Sequence, residues 1–136
     1  MRRVLLDTNI YVAFKRGETD AIELIRIADE ITVNAVVLGE LLAGFAVGRR
    51  EALNREELAL FLASPRVRPV EIDDTTADFY ARIYALLRRK GRPIPTNDLW
   101  IAASALEHGL ILATRDEHFD AIEGLATVKI ASQLLP

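Results

Sequence analysis

Apolar residues fall along this chain in short blocks separated by amphipathic stretches, and that alternation sets the predicted elements. Residues 3–6 (RVLL) read as a short, largely buried strand. Between 20 and 28, DAIELIRIA carries Ile22, Leu24, Ile25 and Ile27, with Asp20 near its start as a cap, which predicts a helix. ITV at 31–33 is the next strand, and Asn34 is placed to cap the segment after it. Residues 35–47 (AVVLGELLAGFAV) are apolar almost throughout and too long for one strand, so they predict a buried helix despite two glycines. EALNREELALFL at 51–62 predicts another helix, ended by Ser64 and Pro65.

The second half repeats the pattern. VRPVEI at 67–72 is strand-like, with Pro69 arguing for an edge position. A long helix is predicted from about 75 to 89, where Phe79, Ile83, Leu86 and Leu87 recur at helical spacing, and KGRPIP at 90–95 stops it. Helix resumes from about 97 to 108 and Gly109 breaks it. LILAT at 110–114 is a buried strand, 116–123 a short helix or turn, and TVKI at 127–130 a last strand. Strands separated by helices imply an α/β fold with three layers, in which a mostly parallel sheet of about five strands lies between helices.

Length and composition narrow the chemistry. A chain of 136 residues fits one domain over 1–136 that buries about two thirds of the surface its unfolded form exposes. The absence of cysteine excludes a disulfide framework, a zinc–thiolate site and a cysteine nucleophile, and two histidines, His108 and His118, do not make a histidine-rich zinc site. The opening MRRVLLDTN is read as neither signal peptide nor membrane span, which makes the cytoplasm the expected location, with no membrane partner. A net charge of −3 argues against a surface that grips nucleic acid throughout, but leaves room for local basic clusters. Arg88, Arg89, Lys90 and Arg92 form one; its plainer reading is a helix end that favours cations.

Four acids stand out against this frame. Asp7 ends the first strand and opens a loop, and Asp116 holds the matching position after LILAT, beside Thr114 and Arg115. Side chains leaving the carboxyl ends of neighbouring parallel strands converge on one crevice. Glu40 lies inside VVLGELLAGF, where a carboxylate needs a cation, an arginine or a wet cleft to offset its burial. Gly39 and Gly44 beside it cost about 1 kcal/mol each against alanine, which suits a close approach of backbone or ligand, or close helix packing. Asp98 sits in TNDLW, where Thr96, Asn97 and Asp98 are all capping types, more than one cap requires. Trp100 reads as a core residue rather than a base-stacking platform, because IAASAL comes directly after it. Each acid alone has a bland explanation. Together they supply the oxygen donors of a Mg²⁺ or Mn²⁺ site, and such a cation partners naturally with phosphates, which points to phosphodiester hydrolysis.

The order and surroundings of these acids carry a resemblance. LLDTNIYV, VVLGELLAG, GRPIPTNDLWIAASALEHG and LATRDEHF, containing Asp7, Glu40, Asp98 and Asp116 in turn, resemble the four motifs of PIN-domain proteins, and within them of VapC-type toxins. The likeness covers essentially the whole chain, with 46–81 poorly marked. It implies a PIN-like fold, divalent-metal-dependent endoribonuclease activity leaving 5′-phosphate and 3′-hydroxyl ends, and homodimers inhibited by a VapB-like antitoxin. It also implies that the four acids surround the metal, that Asn9 and Thr114 support them, and that Arg115 serves substrate binding or an internal pair. RNA needs positive charge around such a pit, and Arg88, Arg89, Lys90, Arg92 and Arg115 are the candidates. The same helices, 35–47 and 51–62, are apolar enough to meet a partner or to be absorbed by the core.

Other classes fit less well. An aspartyl-phosphate phosphatase wants a second aspartate two residues after the nucleophile, where this chain has Asn9, and a receiver wants paired acids after its first strand. A non-catalytic domain whose acids bind only a metal or a basic partner is the remaining alternative.

Overall fold

The computed structural model describes residues 1–135. RVLL forms β1 (Arg3–Leu6), the central strand, whose Val4, Leu5 and Leu6 are wholly buried. Unbroken apolar sequence is what a strand covered on both faces requires. β2 (Glu30–Thr32) pairs with it on one side, Val4 opposite Ile31, and β3 (Ile111–Ala113) on the other, Leu5 opposite Leu112. β4 (Thr127–Val128) lies beyond β3, giving the all-parallel order β2-β1-β3-β4. α1 (Thr8–Lys15) and α2 (Thr19–Ile27) connect β1 to β2; α3 (Ala35–Val47), α4 (Glu51–Leu62), α5 (Asp74–Lys90) and α6 (Thr96–His108) connect β2 to β3. The predicted helix-flanked parallel sheet is therefore present.

Its strands are fewer and shorter than expected, for local reasons. The segment predicted as a strand at 67–72 makes one bridge, Val67 to Ile31, and runs along β2 as an irregular edge. Arg68 and Val70 donate their amides to Ile31 and Val33, at 2.8 and 2.9 Å, so the nitrogen of Pro69 falls on the side away from β2. TVKI shortens to two residues because the amides of Lys129 and Ile130 turn to the Gln133 side chain, at 2.6 and 3.3 Å. LILAT shortens as well, since the Leu110 amide closes the end of α6 on Ala105 O at 2.8 Å. A further 3-10 turn at Ala131–Leu134 is absent from the sequence expectation.

Three helices also differ. No loop opens after Asp7: its carboxylate accepts the Thr8 amide at 2.8 Å and α1 starts at once. α2 starts at Thr19 without a side-chain cap, so Asp20 lies in its first turn instead of capping it. α3, expected to be buried, covers only Val37 and Leu41 completely and leaves Val47 89% exposed. A side chain added at Gly39 or Gly44 would meet nothing within 4 Å, so close packing does not explain either glycine.

One buried amide sets the helices that carry the site. Asn34, wholly buried, caps α3 by accepting the Val37 amide at 3.0 Å, and donates to Ser104 Oγ at 2.9 Å and Trp100 O at 3.3 Å in α6. The buried small residues Ala102, Ala103, Ser104 and Ala105 let α6 lie close to its neighbours. Trp100 packs on Tyr80 of α5, ring centroids 4.3 Å apart, but it is only half-buried and does not join the core expected of it.

Replacing Asn34 by alanine removes a cap and strands buried partners in two helices, so the unfolding free energy should fall by about 2 kcal/mol. Ser104→Ala, which removes one of those bonds, should cost about 1 kcal/mol. Urea unfolding measures both; an Asn34→Ala protein within roughly 0.5 kcal/mol of the parent removes Asn34 from this role.

Candidate active site

The chain leaves β1 toward β2 on one side and returns to β3 on the other, so the carboxyl end of β1 is the switch point of the sheet. Asp7 stands there, and Asp116 comes after the neighbouring strand β3. The Asp7 amide donates to Ala113 O at 2.9 Å, which aligns the two strand ends. Glu40 arrives from α3 and Asp98 from the first turn of α6. All four acids line one cleft of about 360 Å³, together with Thr8, Asn9, Arg16, Glu18 and Arg115.

Each acid is held by named donors. Asp7, only 5% exposed, accepts the Thr114 hydroxyl at 2.6 Å, the Thr8 amide at 2.8 Å and the Asn9 side-chain amide at 3.3 Å. The Thr114 oxygen itself accepts the Asp116 amide at 3.0 Å, so its single hydrogen is directed at Asp7 and the hydroxyl ties the two strand-end acids together. Glu40 accepts the Thr8 hydroxyl at 2.7 Å and the Asn97 side-chain amide at 3.3 Å, which offsets the cost expected of a carboxylate among apolar neighbours.

Asp98 is free of capping duty. The residue before α6 is Pro95, which supplies no side-chain cap, so Thr96, Asn97 and Asp98 are not the redundant caps that their types suggest. Asn97 turns to Glu40. Asp98 meets His118, with its Oδ2 3.4 Å from Nδ1, and the same Nδ1 is 3.1 Å from Asp116 Oδ1. The position at a helix N-terminus still favours a negative charge.

Crowding like charges away from water raises their proton affinity. Burial pushes the Asp7 carboxyl above its ordinary value, against the pull of Thr114 and the Thr8 amide, and Glu40 and Asp116 add to the rise. Asp98 is pushed up to about 6, first by burial and then by the charge of Asp7, with His118 opposing. An all-oxygen cleft of this charge suits a hard divalent cation better than any soft metal.

The structure brings Asn9 and Thr114 to the acids, and the Arg115 amide donates to Asn9 Oδ1 at 3.2 Å. The guanidinium of Arg115 pairs with Glu18 at 3.0 Å on the cleft rim. Of the basic cluster, only Arg92 joins Arg115, lining an adjoining open cleft with Asn9, Asp116, Glu117 and His118. Lys90 donates to Ala121 O at 3.0 Å and lies 3.6 Å from Glu123, Arg88 lines a separate apolar pocket with Tyr84 and Ile94, and Arg89 is exposed in the last turn of α5.

Thr8, Arg16, Glu18 and His118 escaped the sequence reading. The first three depend on α1, whose start was signalled by Asp7 preceding Ile10, Tyr11 and Phe14, a cap before a helical apolar set. His118, with too few histidines in company for a histidine-rich zinc site, is signalled by its position two residues after Asp116.

Comparison with known proteins agrees with this geometry. Residues 4–125 match the PIN domain family. Ribonuclease VapC5 of Mycobacterium tuberculosis is 31% identical over 126 residues, covering 93% of this chain and 92% of the relative. Among solved structures, VapBC2 from Rickettsia felis bound to a promoter DNA fragment superposes with a TM-score of 0.83 at 25% identity, over 93% of this chain and 97% of that one. FitAcB from Neisseria gonorrhoeae does so with a TM-score of 0.78 at 28% identity, over 93% and 96%. With its four acids gathered at the carboxyl end of a parallel sheet and the match running through nearly all of its length, the chain belongs to the PIN domain family, as a member of the VapC type.

Proposed function

We propose that this protein is a divalent-metal-dependent endoribonuclease, the toxin of a VapBC-type pair, acting in the cytoplasm. The observation that carries the reading is the meeting of Asp7, Glu40, Asp98 and Asp116, from four separate elements, on one cleft. Relatives named ribonucleases, and relatives solved as VapBC assemblies, support it.

In this reading Asp7 and Asp98 hold Mg²⁺ or Mn²⁺, directly or through water, and Asp116 completes the anionic pocket. A bound dication supplies an acidified water and neutralises charge on the leaving oxygen. Glu40 positions the attacking water; its two oxygens are oriented by Thr8 and Asn97. The Thr114 hydroxyl and the Thr8 amide favour the ionised form of Asp7 against the burial that raises its proton affinity, and Asn9 donates to the same carboxylate. Arg115 and Arg92, which together line the open cleft beside the acids, take RNA phosphates. The antitoxin and a second copy are the protein partners. Exposed Val47, Leu53 and Leu60 give α3 and α4 an apolar outer surface that suits one of them. No helix among the described residues is long and apolar enough to cross a membrane.

Purified protein incubated with cellular RNA should cleave in Mg²⁺ or Mn²⁺ and stop in EDTA. Asp7→Asn and Asp98→Asn should each lose about 10²-fold or more in rate, with product ends mapped as 5′-phosphate and 3′-hydroxyl. Cleavage indifferent to chelator and to both substitutions rejects the reading.

The raised acids also give a pH signature. Asp7 and Asp98 both have folded-state values above their unfolded ones, so the stability they contribute is fully present below about pH 4, and the share from Asp98 is lost as pH rises through about 6. Asp29 and Asp73 are lowered and act only in more acidic solution. Chelated protein should therefore melt at a higher temperature at pH 5 than at pH 7.5. Mg²⁺ should raise the melting temperature more at pH 7.5, and Asp98→Asn should flatten both trends. Equal melting temperatures at the two pH values, with no response to Mg²⁺, would contradict this.

RNA binding tests the basic residues separately. In an Asp7→Asn background, Arg92→Ala should weaken binding to all RNA sequences alike and reduce the salt slope by about 0.7, the single-strand value for one phosphate contact. Lys90→Ala, whose ammonium is already engaged by Ala121 and Glu123, should change the slope less. Filter binding across a salt series distinguishes the two.

A further inference from the structure

The proposed function accounts for the four acids but gives no role to the histidine among them. His118 is the second residue of the 3-10 turn Glu117–Ala121, which follows Asp116 directly, and its amide donates to Asp116 Oδ1 at 2.9 Å, which folds the residue back over the strand end. The ring then lies on the mouth of the cleft, with Nδ1 3.1 Å from Asp116 Oδ1 and 3.4 Å from Asp98 Oδ2. One ligand atom from each of Asp98, Asp116 and His118 lies within 4.8 Å of the other two. Donors around one dication, at bonds of about 2.1 Å, are separated by about 3 Å when adjacent and about 4.2 Å when opposite. His118 Nδ1 already stands at adjacent-ligand separations from Asp116 and Asp98, and the two carboxylates, within 4.8 Å of each other, need at most a small adjustment, on α6, the end of β3 and the turn after it.

We infer that His118 is a metal ligand, and that with Asp98 and Asp116 it forms a mixed nitrogen–oxygen site that takes a first-row transition dication in preference to Mg²⁺. The inference rests on the proposed function only in requiring that the cleft binds a dication. An imidazole nitrogen discriminates where carboxylates do not: Mg²⁺ demands oxygen ligands and sheds water reluctantly, whereas transition ions bind nitrogen with rising affinity from Mn²⁺ onward. The chain offers no competing imidazole or thiolate donor nearby. It has no cysteine and one other histidine, His108, which is ten residues from Asp98 along α6, roughly 15 Å away at the helical rise per residue. The His118 side chain is 57% exposed, so its removal leaves the core intact.

The experiment uses the full chain loaded with Mn²⁺ as the probe, read by pulsed electron paramagnetic resonance. The parent should show modulation from a directly bound ¹⁴N. That signal should vanish in His118→Ala and in His118→Gln and persist in His108→Ala, with circular dichroism confirming each fold. Mn²⁺ affinity should fall in the His118 variants by about tenfold or more, at least the loss caused by removing a metal ligand's outer partner, while Mg²⁺ affinity stays within about twofold. Bound Mn²⁺ without nitrogen coupling overturns the ligand role of His118 and leaves the carboxylate metal site standing. Failure to bind Mn²⁺ at all overturns both.

Discussion

The buried carboxylate of Asp7 is the constraint on which the rest of the site depends. A charge with 5% exposure at the end of a central strand is tolerable only with donors on several sides. The chain supplies them from three directions: the first amide of α1, the Asn9 side chain in its opening turn, and the Thr114 hydroxyl from the adjacent strand. Each donor also fixes geometry. The Thr8 amide starts α1 without a linker, which places the Thr8 hydroxyl against Glu40. The Thr114 hydroxyl, accepting from Asp116 and donating to Asp7, converts the pairing of β1 and β3 into a fixed relation between two acids. Removing the charge from Asp7 would therefore disturb the start of α1 and the Asp116 loop as well as any ion.

Glu40 and Asp98 are placed by a separate device. Both lie on helices, and the helices are joined by Asn34, whose oxygen caps α3 while its nitrogen reaches α6. A buried primary amide has two donors and an acceptor that must all be met, so it tolerates one relative position of the two helices and penalises others. The Asn97 bond to Glu40 repeats the link at the rim. The cleft is thus assembled from a strand pair aligned by Asp7 and Thr114 and a helix pair aligned by Asn34.

Much of this was readable from residue patterns, and the failures have identifiable causes. RVLL and LILAT were legible as strands because burial on both faces leaves unbroken apolar runs, and Asp7 and Asp116 could be placed from their positions at strand ends. α1 was harder to see: Asp7 before Ile10, Tyr11 and Phe14 has the form of a cap ahead of a helical apolar set, but in only eight residues, with Val12 and Ala13 apolar as well, that period is blurred and the DTN stretch reads equally well as a turn. Asp98 lines the cleft for a different reason from the one its neighbours suggest, since three capping types in a row point to a cap and Pro95, at the cap position, makes none. The basic cluster misled differently. Charge in sequence says nothing of direction: Arg88 and Arg92 are four residues apart, yet one faces a separate pocket and the other the cleft.

Apolar composition is ambiguous in the same way for α3. Its sequence is apolar nearly throughout, yet Gly39, Ala43, Gly44, Ala46 and Val47 are exposed while Val37 and Leu41 are buried. Hydropathy reports that a surface avoids water, not whether the covering surface comes from the same chain. The two glycines have open space where a side chain would stand, so the chain gives up helix propensity there without gaining an internal contact. A site that gathers like charges and a helix that leaves apolar residues bare both disfavour the isolated protein. The internal donors to Asp7 and Glu40 meet part of the first cost; a cation at the cleft and a covering surface on α3 would offset the rest. Marginal stability makes terms of this size consequential, so the folded population of such a protein is coupled to its ligands by mass action.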